Sequence, residues 1–216
     1  MKFKNVILVV VIFSLGSCGL LTAGQKKIVI KNAAVVVKAK YPVLQSPKNQ
    51  KIIQNFIYKQ INDFQNAYPV SALEYKHKLK ISYKVYNSLD YKSIVFKLRF
   101  FEENILENMF LKSFVFNIHN ENLLRISDFF AEDIKLSLLA SHAQSYFKEQ
   151  VKAEYYDKDR VLRATAPKLS NFKNFYFDKG RLHILFNPFQ VANFEAGYFD
   201  LVVPKNIVDL QLQNWK

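Results

Sequence analysis

The stretch HKLKISYKVY, residues 77–86, alternates between apolar or aromatic side chains and polar ones. A period of two residues is typical of a β-strand that buries one face, because successive side chains point to opposite sides of a sheet. The alternation returns in SIVFKLRFF (93–101) and in FLKSFVFNIH (110–119), and the turn-forming residues NSLD (87–90) separate the first two stretches. The middle of the chain is therefore predicted to form a three-stranded meander.

An amphipathic helix is predicted on each side of the meander. Before it, residues 48–66 place Ile and Phe three and four positions apart, which is the spacing of one helix face. After it, a second helix is predicted at about 132–153. Its expected apolar face comprises Ile134, Leu138, Leu139, Ala143 and Phe147.

Further strands are expected at both ends. Residues 26–40, rich in Val and Ile, predict one or two strands, and Tyr41-Pro42 ends them. Polar residues 154–170 are predicted as a loop, and DKGR (178–181) marks a hairpin. The last strand is predicted at 198–203. This order favours an α+β fold of antiparallel sheets (strand–helix–meander, then helix–meander) with two main amphipathic helices packed on them.

The composition excludes several classes of protein. The chain has 216 residues, half of them hydrophobic and 15% aromatic, so it can bury a sizeable core. Only five glycines and many aromatic residues argue against collagen-like and disordered chains. A single cysteine excludes an intramolecular disulfide and a cysteine-based zinc site.

The first residues have the pattern of a secretory leader. Lys2 and Lys4 precede an apolar run, residues 6–15, which is too short for a membrane-spanning helix. The run ends in Leu15-Gly16-Ser17-Cys18, which resembles the bacterial lipobox, where the cysteine is lipidated and becomes the first mature residue. The alternative is an ordinary buried cysteine near a cleavage site such as Ala23. We expect a lipoprotein signal peptide at 1–17, acylation of Cys18, and a tether at 18–27.

The positive charge is concentrated in one part of the chain. The formal net charge is +13, yet residues 19–100 carry +12 and residues 101–216 carry −1. Within the meander the cations follow the polar strand face, which suggests a patch for an anionic polymer or surface. The alternative is a solvated strand face whose lysines discourage aggregation. The candidate patch comprises Lys76, Lys78, Lys80, Lys84, Lys97 and Arg99.

No motif for catalysis or for a cofactor is present. The four histidines lack metal-ligand spacing, and the sequence contains no nucleophile elbow, P-loop or dinucleotide fingerprint. Acidic pairs at Glu102-Glu103 and Glu132-Asp133 fall in expected turns or helix starts. We therefore predict no enzyme activity, no catalytic residues, no metal and no cofactor. Nucleic acid is not expected as a partner, since no nucleic-acid-binding signature appears.

The C-terminal part resembles a known family. Residues 166–186 contain NFKNFYF followed by Gly180 and LHILF, then NPFQVANFEAG (187–197) and a strand ending at Pro204. This run, and the step LRISDFF (124–130), resemble a bacterial envelope domain of unknown function shared by RsiV-type anti-sigma factors and PdaC-type deacetylases. The resemblance extends weakly over residues 26–210. One departure is the segment 102–108, where the family commonly has a Gly-Gly-Ala-His turn.

The resemblance implies a binding module without catalysis. RsiV-type proteins use this region as an extracytoplasmic sensor of lysozyme, and PdaC-type proteins place catalysis in a separate domain. We expect a lipid-anchored, extracytoplasmic envelope protein that binds peptidoglycan or another anionic polymer. Two alternatives remain, a lysozyme sensor or inhibitor and, third, an envelope hydrolase. The protein partner is unknown. The expected subdomains are a basic one at 28–120 and a family-like one at 121–216.

Overall fold

The strands on either side of the first helix depart from the expected antiparallel order. In the computed structural model, which describes residues 22–69, 76–130 and 133–207, strands β1 (Thr22–Lys31) and β2 (Val35–Leu44) precede helix α1 (Pro47–Ala67). Strand β3 (His77–Ser88) then pairs with β2 in parallel. The expectation of purely antiparallel sheets is therefore wrong here, because a helical crossover returns the chain in its original direction.

The remaining elements follow the predicted order. Strands β4 (Tyr91–Glu102), β5 (Ile105–Asn117) and β6 (Leu123–Leu124) complete a mixed sheet with the order β1-β2-β3-β4-β5-β6. Helices α2 and α3 follow, and a second, antiparallel sheet has the order β7-β8-β9. The α+β class is confirmed. The bounds of these later elements are α2 Asp133–Gln150, α3 Lys158–Ala164, β7 Phe175–Asp178, β8 Arg181–Phe186 and β9 Phe199–Val202.

Four short 3₁₀ helices lie in the described part of the second half of the chain. They lie at Ile126–Asp128, Ala153–Tyr155, Leu169–Phe172 and Phe194–Ala196. Among the helices of the described ranges, none is both long enough and apolar enough to cross a membrane.

Two compact units divide the chain. Among the described residues, the first unit contains 22–69, 76–83 and 96–109, and the second contains 84–95, 110–130 and 133–207. Strands β3, β4 and β5 thus contribute residues to both units, whereas the sequence suggested subdomains at 28–120 and 121–216. The described part of each unit has its own core.

The core of the first unit lies under helix α1. Ser46 caps the helix, with its Oγ accepting a hydrogen bond from the Asn49 N–H, and Pro47 suits the first turn because it needs no donor there. The helix buries Ile and Phe at the predicted spacing: Ile53, Ile57, Ile61 and Phe64. Its aromatic residues meet β4, with ring centroids 5.4 Å apart for Phe56–Phe96 and 5.9 Å apart for Phe64–Phe100.

The expected tether is partly a strand. Residues 22–31 pair with β2, so the predicted tether at 18–27 is wrong from Thr22 onward. The two strands are joined at Asn32, whose Oδ1 accepts hydrogen bonds from the Ala34 and Val35 N–H groups at 2.9 and 2.7 Å. This turn fixes the register in which the lysines of β1 and β2 face each other.

The core of the second unit lies between α2 and the β7-β8-β9 sheet. Phe147 packs edge-on against Phe186 and Phe199, with centroids 4.8 and 5.3 Å away. The buried stripe of α2 is Leu136, Leu139, Ala140, Ala143 and Phe147. The predicted apolar face of α2 is displaced around the helix from the face that is buried. Ile134 and Leu138, which were predicted to be buried, are 69% and 48% exposed.

A short helix replaces part of the predicted loop. Helix α3 begins after Asp157, whose Oδ1 accepts a hydrogen bond from the Arg160 N–H at 2.9 Å, and it buries Val161 and Ala164. Seven residues carry two helical turns, which is too short for a recognisable periodic pattern. The loop predicted over 154–170 is therefore wrong at this helix.

Candidate functional site

The predicted basic patch is larger than the sequence suggested. Lys38 lies opposite Lys80 in the β2–β3 ladder, and Val36 lies opposite Lys78. Residues paired in a ladder point to the same side of a sheet. The lysines of β2 therefore join those of β3 on one face, although the paired residues Lys38 and Lys80 are 42 positions apart in the sequence.

Strand β1 extends this face. Its register places Lys27 opposite Lys40, and Lys31 opposite Val36. Strand β4 extends the face on the other side, because the Lys80 Nζ lies 4.8 Å from the centroid of the Phe101 ring. Lys97 and Arg99 precede Phe101 at a period of two and therefore point to the same side of β4 as Phe101. The basic sheet face, as we define it, comprises Lys27, Lys31, Lys38, Lys40, Lys78, Lys80, Lys97 and Arg99.

The strands that form the basic sheet face are poor in acidic residues. Strands β1 to β4 contain one acid, Glu102, which ends β4. Lys31, Lys38, Lys40 and Lys80 are exposed, and the other four cations are half-buried. Burial, and then the neighbouring Arg99 guanidinium, lower the pKa of the Lys97 ammonium. The Arg99 charge therefore disfavours the charged form of Lys97 on this face.

A shallow cleft of about 280 Å³ opens on this face. The Lys78 Nζ donates a 2.7 Å hydrogen bond to Oδ1 of Asn104, and Phe101 forms a wall beside Lys80. The other lining residues are Val36, Lys38 and Leu79. An ammonium over an aromatic face loses little of its charge, so the cleft can accept an anionic group beside an apolar surface.

Two members of the predicted patch are not counted in the basic sheet face as defined above. Lys76 is exposed and precedes β3, where its carbonyl oxygen accepts a hydrogen bond from the Glu103 N–H at 2.9 Å. Lys84 belongs to the second unit, and its Nζ lies 4.4 Å from the centroid of the Tyr86 ring. Cys18 lies outside the described residues.

The missed cations carried only a local signal. In the Val- and Ile-rich segment 26–40, Lys27 and Lys31 are four positions apart, and Lys38 and Lys40 are two positions apart. That pattern marks a strand with a basic side, but nothing local shows which other strand lies beside it. The parallel pairing of β2 with β3 supplies the missing information.

The histidines have structural surroundings. His77 is buried and stacks on Tyr68 with centroids 3.8 Å apart, and His142 Nε2 lies 3.2 Å from the carbonyl oxygen of Val202. His183 Nδ1 lies 3.0 Å from Oδ1 of Asp200, a partner that the sequence analysis did not identify. In the described ranges, no group of three or more His, Cys, Asp or Glu side chains could hold a metal ion.

The polar cluster around Asp200 joins the three strands of the second sheet. The Tyr176 hydroxyl donates a 2.5 Å hydrogen bond to Asp200 Oδ2, and His183 stacks on Tyr176 with centroids 4.5 Å apart. Burial, followed by the bond to Asp200, raises the pKa of the Tyr176 hydroxyl. A neutral tyrosine that donates to a carboxylate fixes strand positions and offers no base.

The chain has an α+β fold, and residues 127–206 match a family described as a protein of unknown function, DUF3298. The predicted resemblance is confirmed. The chain is 27% identical over 177 residues to the peptidoglycan-N-acetylmuramic acid deacetylase PdaC of Bacillus subtilis strain 168. The alignment covers 78% of this chain and 37% of PdaC, so the chain spans little more than a third of that relative.

Two solved structures share the fold. A DUF3298 family member from Bacteroides fragilis NCTC 9343 superposes with a TM-score of 0.53 at 12% identity, covering 88% of this chain and 93% of that one. A DUF3298 family protein from Pseudomonas aeruginosa PAO1 gives 0.56 at 9% identity, covering 86% and 92%. These likenesses establish the architecture over both described units.

Proposed function

We propose that this chain is a non-catalytic, lipid-anchored envelope protein whose basic sheet face binds peptidoglycan or another anionic envelope polymer. The single observation that carries the proposal is the alignment of eight cations from four strands on one face, with Glu102 as the one acid in those strands. Such a surface attracts polyanions, because the potentials of neighbouring charges add.

The spacing of these cations suits a polymer with repeated charges. Neighbouring strands lie about 4.8 Å apart and alternate residues on one strand about 6.6 Å apart, so the ammonium groups form a grid rather than a single pocket. A flat grid of this kind binds many anionic groups weakly. Relatedness to PdaC, a peptidoglycan deacetylase, makes peptidoglycan the first polymer to test.

The decisive experiment is co-sedimentation of the protein with purified peptidoglycan at low and moderate salt. We expect retention at low salt that falls as salt shortens the range of the electrostatic attraction. The double variant Lys38→Gln/Lys80→Gln removes two exposed cations of the face. At about 1 kcal/mol for each cation near an anionic surface, it should weaken binding roughly 30-fold.

The matched control is Lys51→Gln/Lys148→Gln. Both residues are exposed on helices, so this variant loses the same charge away from the basic sheet face. Equal weakening by both variants would reduce the effect to net charge alone. No retention of the unmodified protein at either salt would overturn peptidoglycan as the ligand.

The anchor rests on the sequence Leu15-Gly16-Ser17-Cys18. A diacylglycerol group with an additional acyl chain supplies two hydrophobic anchors, which is enough for stable attachment to a membrane. Mass spectrometry of the mature N-terminus tests it. An acylated Cys18 is expected, and an unmodified N-terminus beyond Cys18 would exclude the anchor.

Lysozyme recognition is the alternative role. A basic sheet face disfavours association with a basic lysozyme, because like charges across an interface are repulsive. Lysozyme activity should therefore be unchanged in a large excess of the protein. Inhibition would replace the polymer-binding proposal with the alternative one.

A further inference from the structure

Three turns of the second unit meet around a cavity of about 510 Å³. They are the β3–β4 turn, the turn after β5 and the β7–β8 hairpin. The sequence predicted each of these turns separately and assigned none of them a role. The lining residues are Ser88, Leu89, Asp90, Tyr91, Asn117, His119, Asn120, Phe177 and Gly180.

Hydrogen bonds hold the three turns together. The Gly180 N–H donates to the Ser88 Oγ at 3.0 Å, and the Ile118 N–H donates to the carbonyl oxygen of Asp90 at 2.9 Å. Gly180 has a φ of +73°, which suits glycine because a Cβ would strain this left-handed backbone. A cavity whose walls are already fixed loses little entropy when a ligand binds.

An aromatic pair forms one wall. Tyr91 stacks on Phe177 with centroids 4.3 Å apart and an interplanar angle of 26°, and Phe129 packs edge-on against Tyr91 at 5.8 Å. Phe177 is buried, while Tyr91 is half-buried and Leu89 is 87% exposed. The cavity therefore combines a rigid apolar wall with an apolar side chain at its mouth.

The rest of the lining is polar. The His119 Nε2 and Asp90 Oδ1 atoms are 2.9 Å apart, so the one acid of the lining lies within hydrogen-bonding distance of a histidine. Asn117 Oδ1 accepts hydrogen bonds from the His119 and Asn120 N–H groups at 2.8 and 3.3 Å, and Asn120 Oδ1 accepts one from the Asn122 N–H. The carbonyl oxygens of both amides are thereby turned toward the backbone, which leaves their NH₂ groups as donors.

We infer that this cavity binds one ring of a neutral glycan, an inference that is independent of the basic sheet face. A pyranose presents an apolar C–H face and a rim of hydroxyls that both donate and accept. The aromatic wall can contact the apolar C–H face of the sugar. The amide donors, the Ser88 hydroxyl and the Asp90 carboxylate can form hydrogen bonds with its hydroxyl groups. The volume falls within the range of small-molecule sites, roughly 300–1,000 Å³.

The test uses the full mature chain and a tetramer of N-acetylglucosamine, followed by ¹H–¹⁵N NMR, with a glucose tetramer in a second titration. We expect shifts confined to amides of residues 88–91, 117–120 and 177–180, at an affinity of roughly millimolar strength. Because the ligand is neutral, raising the salt should leave its affinity unchanged. Binding of either tetramer there supports a glycan site, and the pair shows whether the N-acetyl group is recognised.

The variant Asp90→Ala/His119→Ala should weaken binding at least tenfold. Asp63→Ala is the control, because Asp63 is likewise an exposed acid with a close side-chain partner, Lys59, at 2.7 Å, and is 55% exposed. If the double variant is misfolded by NMR, Asn120→Ala takes its place. No shifts with either tetramer, shifts only at the basic sheet face, or an unchanged affinity in folded variants would each overturn the inference. Failure of the protein to bind peptidoglycan in a salt-dependent way would contradict the role of the basic sheet face and not the glycan cavity.

Discussion

The hydroxyl of Tyr176 donates a 2.5 Å hydrogen bond to Asp200 Oδ2, while the other oxygen of that carboxylate lies 3.0 Å from Nδ1 of His183. The Asp200 carboxylate of β9 therefore contacts one residue from each of the other two strands of the second sheet, Tyr176 of β7 and His183 of β8. The Tyr146 hydroxyl adds a 3.4 Å contact to the Asp200 carbonyl oxygen from helix α2. This cluster fixes β9, a four-residue strand, to β7 and β8.

Tyr176→Phe should destabilise the protein by about 1–3 kcal/mol, because the Asp200 carboxylate then loses a donor in a partly buried place. Chemical denaturation followed by circular dichroism measures the change. Tyr156→Phe, at a half-buried position, is the control and should cost less than 0.5 kcal/mol. Equal effects would show that the Tyr176–Asp200 bond contributes nothing.

Stability should also fall at alkaline pH. The pKa of Tyr176 is raised in the folded protein, so above about pH 10 the unfolded chain loses its proton while the folded one keeps it. The free energy of unfolding therefore decreases as pH rises from there. The Tyr176→Phe variant should show a shallower decrease than the unmodified protein, measured by denaturation between pH 9 and 11.

Lys92 should titrate at about pH 8, because burial lowers the pKa of its ammonium group. The folded state then favours the neutral amine. Between about pH 8 and the ordinary lysine pKa the unfolded chain binds the extra proton, so stability rises with pH in that window. Lys92→Met should remove this rise. A titration of the lysine Nζ resonances that leaves Lys92 at its ordinary pKa would contradict the prediction.

Binding of a polyanion should raise the pKa of Lys97. In the free protein burial and the Arg99 charge hold it below its usual value. An anion on the basic sheet face favours the charged form, so protons are taken up on binding. NMR titration of the Lys97 side chain with and without soluble, carboxylate-bearing peptidoglycan fragments measures the shift. Lys205, an exposed residue of the second unit, should remain unchanged.

Asn187→Ala should destabilise the second unit. The Asn187 Oδ1 accepts a 2.5 Å hydrogen bond from the Leu111 N–H, and its Nδ2 lies 3.4 Å from the Leu111 carbonyl oxygen. Truncation leaves a partly buried N–H unpaired, at a cost of about 1–3 kcal/mol. Asn187→Asp retains the acceptor, so denaturation midpoints should place it between the unmodified protein and Asn187→Ala.

The elements predicted well from the sequence are those whose periodicity is long and regular. The alternation at His77, Leu79 and Ile81 corresponds to three buried side chains, and the spacing in α1 corresponds to its buried face. Helix α2 has a weaker pattern, because Ile134 and Leu138 offered a second apolar stripe beside the true one. Local periodicity cannot choose between two adjacent stripes without knowledge of what covers them.

The sites depend on pairings between distant residues, which explains what the sequence did not show. Lys38 meets Lys80 only because α1 returns the chain parallel to β2. His119 meets Asp90, and His183 meets Asp200, across separations of 29 and 17 positions. Each of these residues had an ordinary local context, a turn or a strand, and no motif linked it to its partner.

The three strands shared by the two units also constrain how this domain can be inherited. Residues 127–206 match DUF3298, but the second unit also needs residues 84–95 and 110–126. The Phe175 N–H donates to the Ser113 Oγ at 2.8 Å and the Phe177 N–H to the Ser93 Oγ at 2.9 Å, so the matched segment alone would leave buried donors unpaired. Gene recombination could therefore transfer this fold only as one uninterrupted piece that includes the meander.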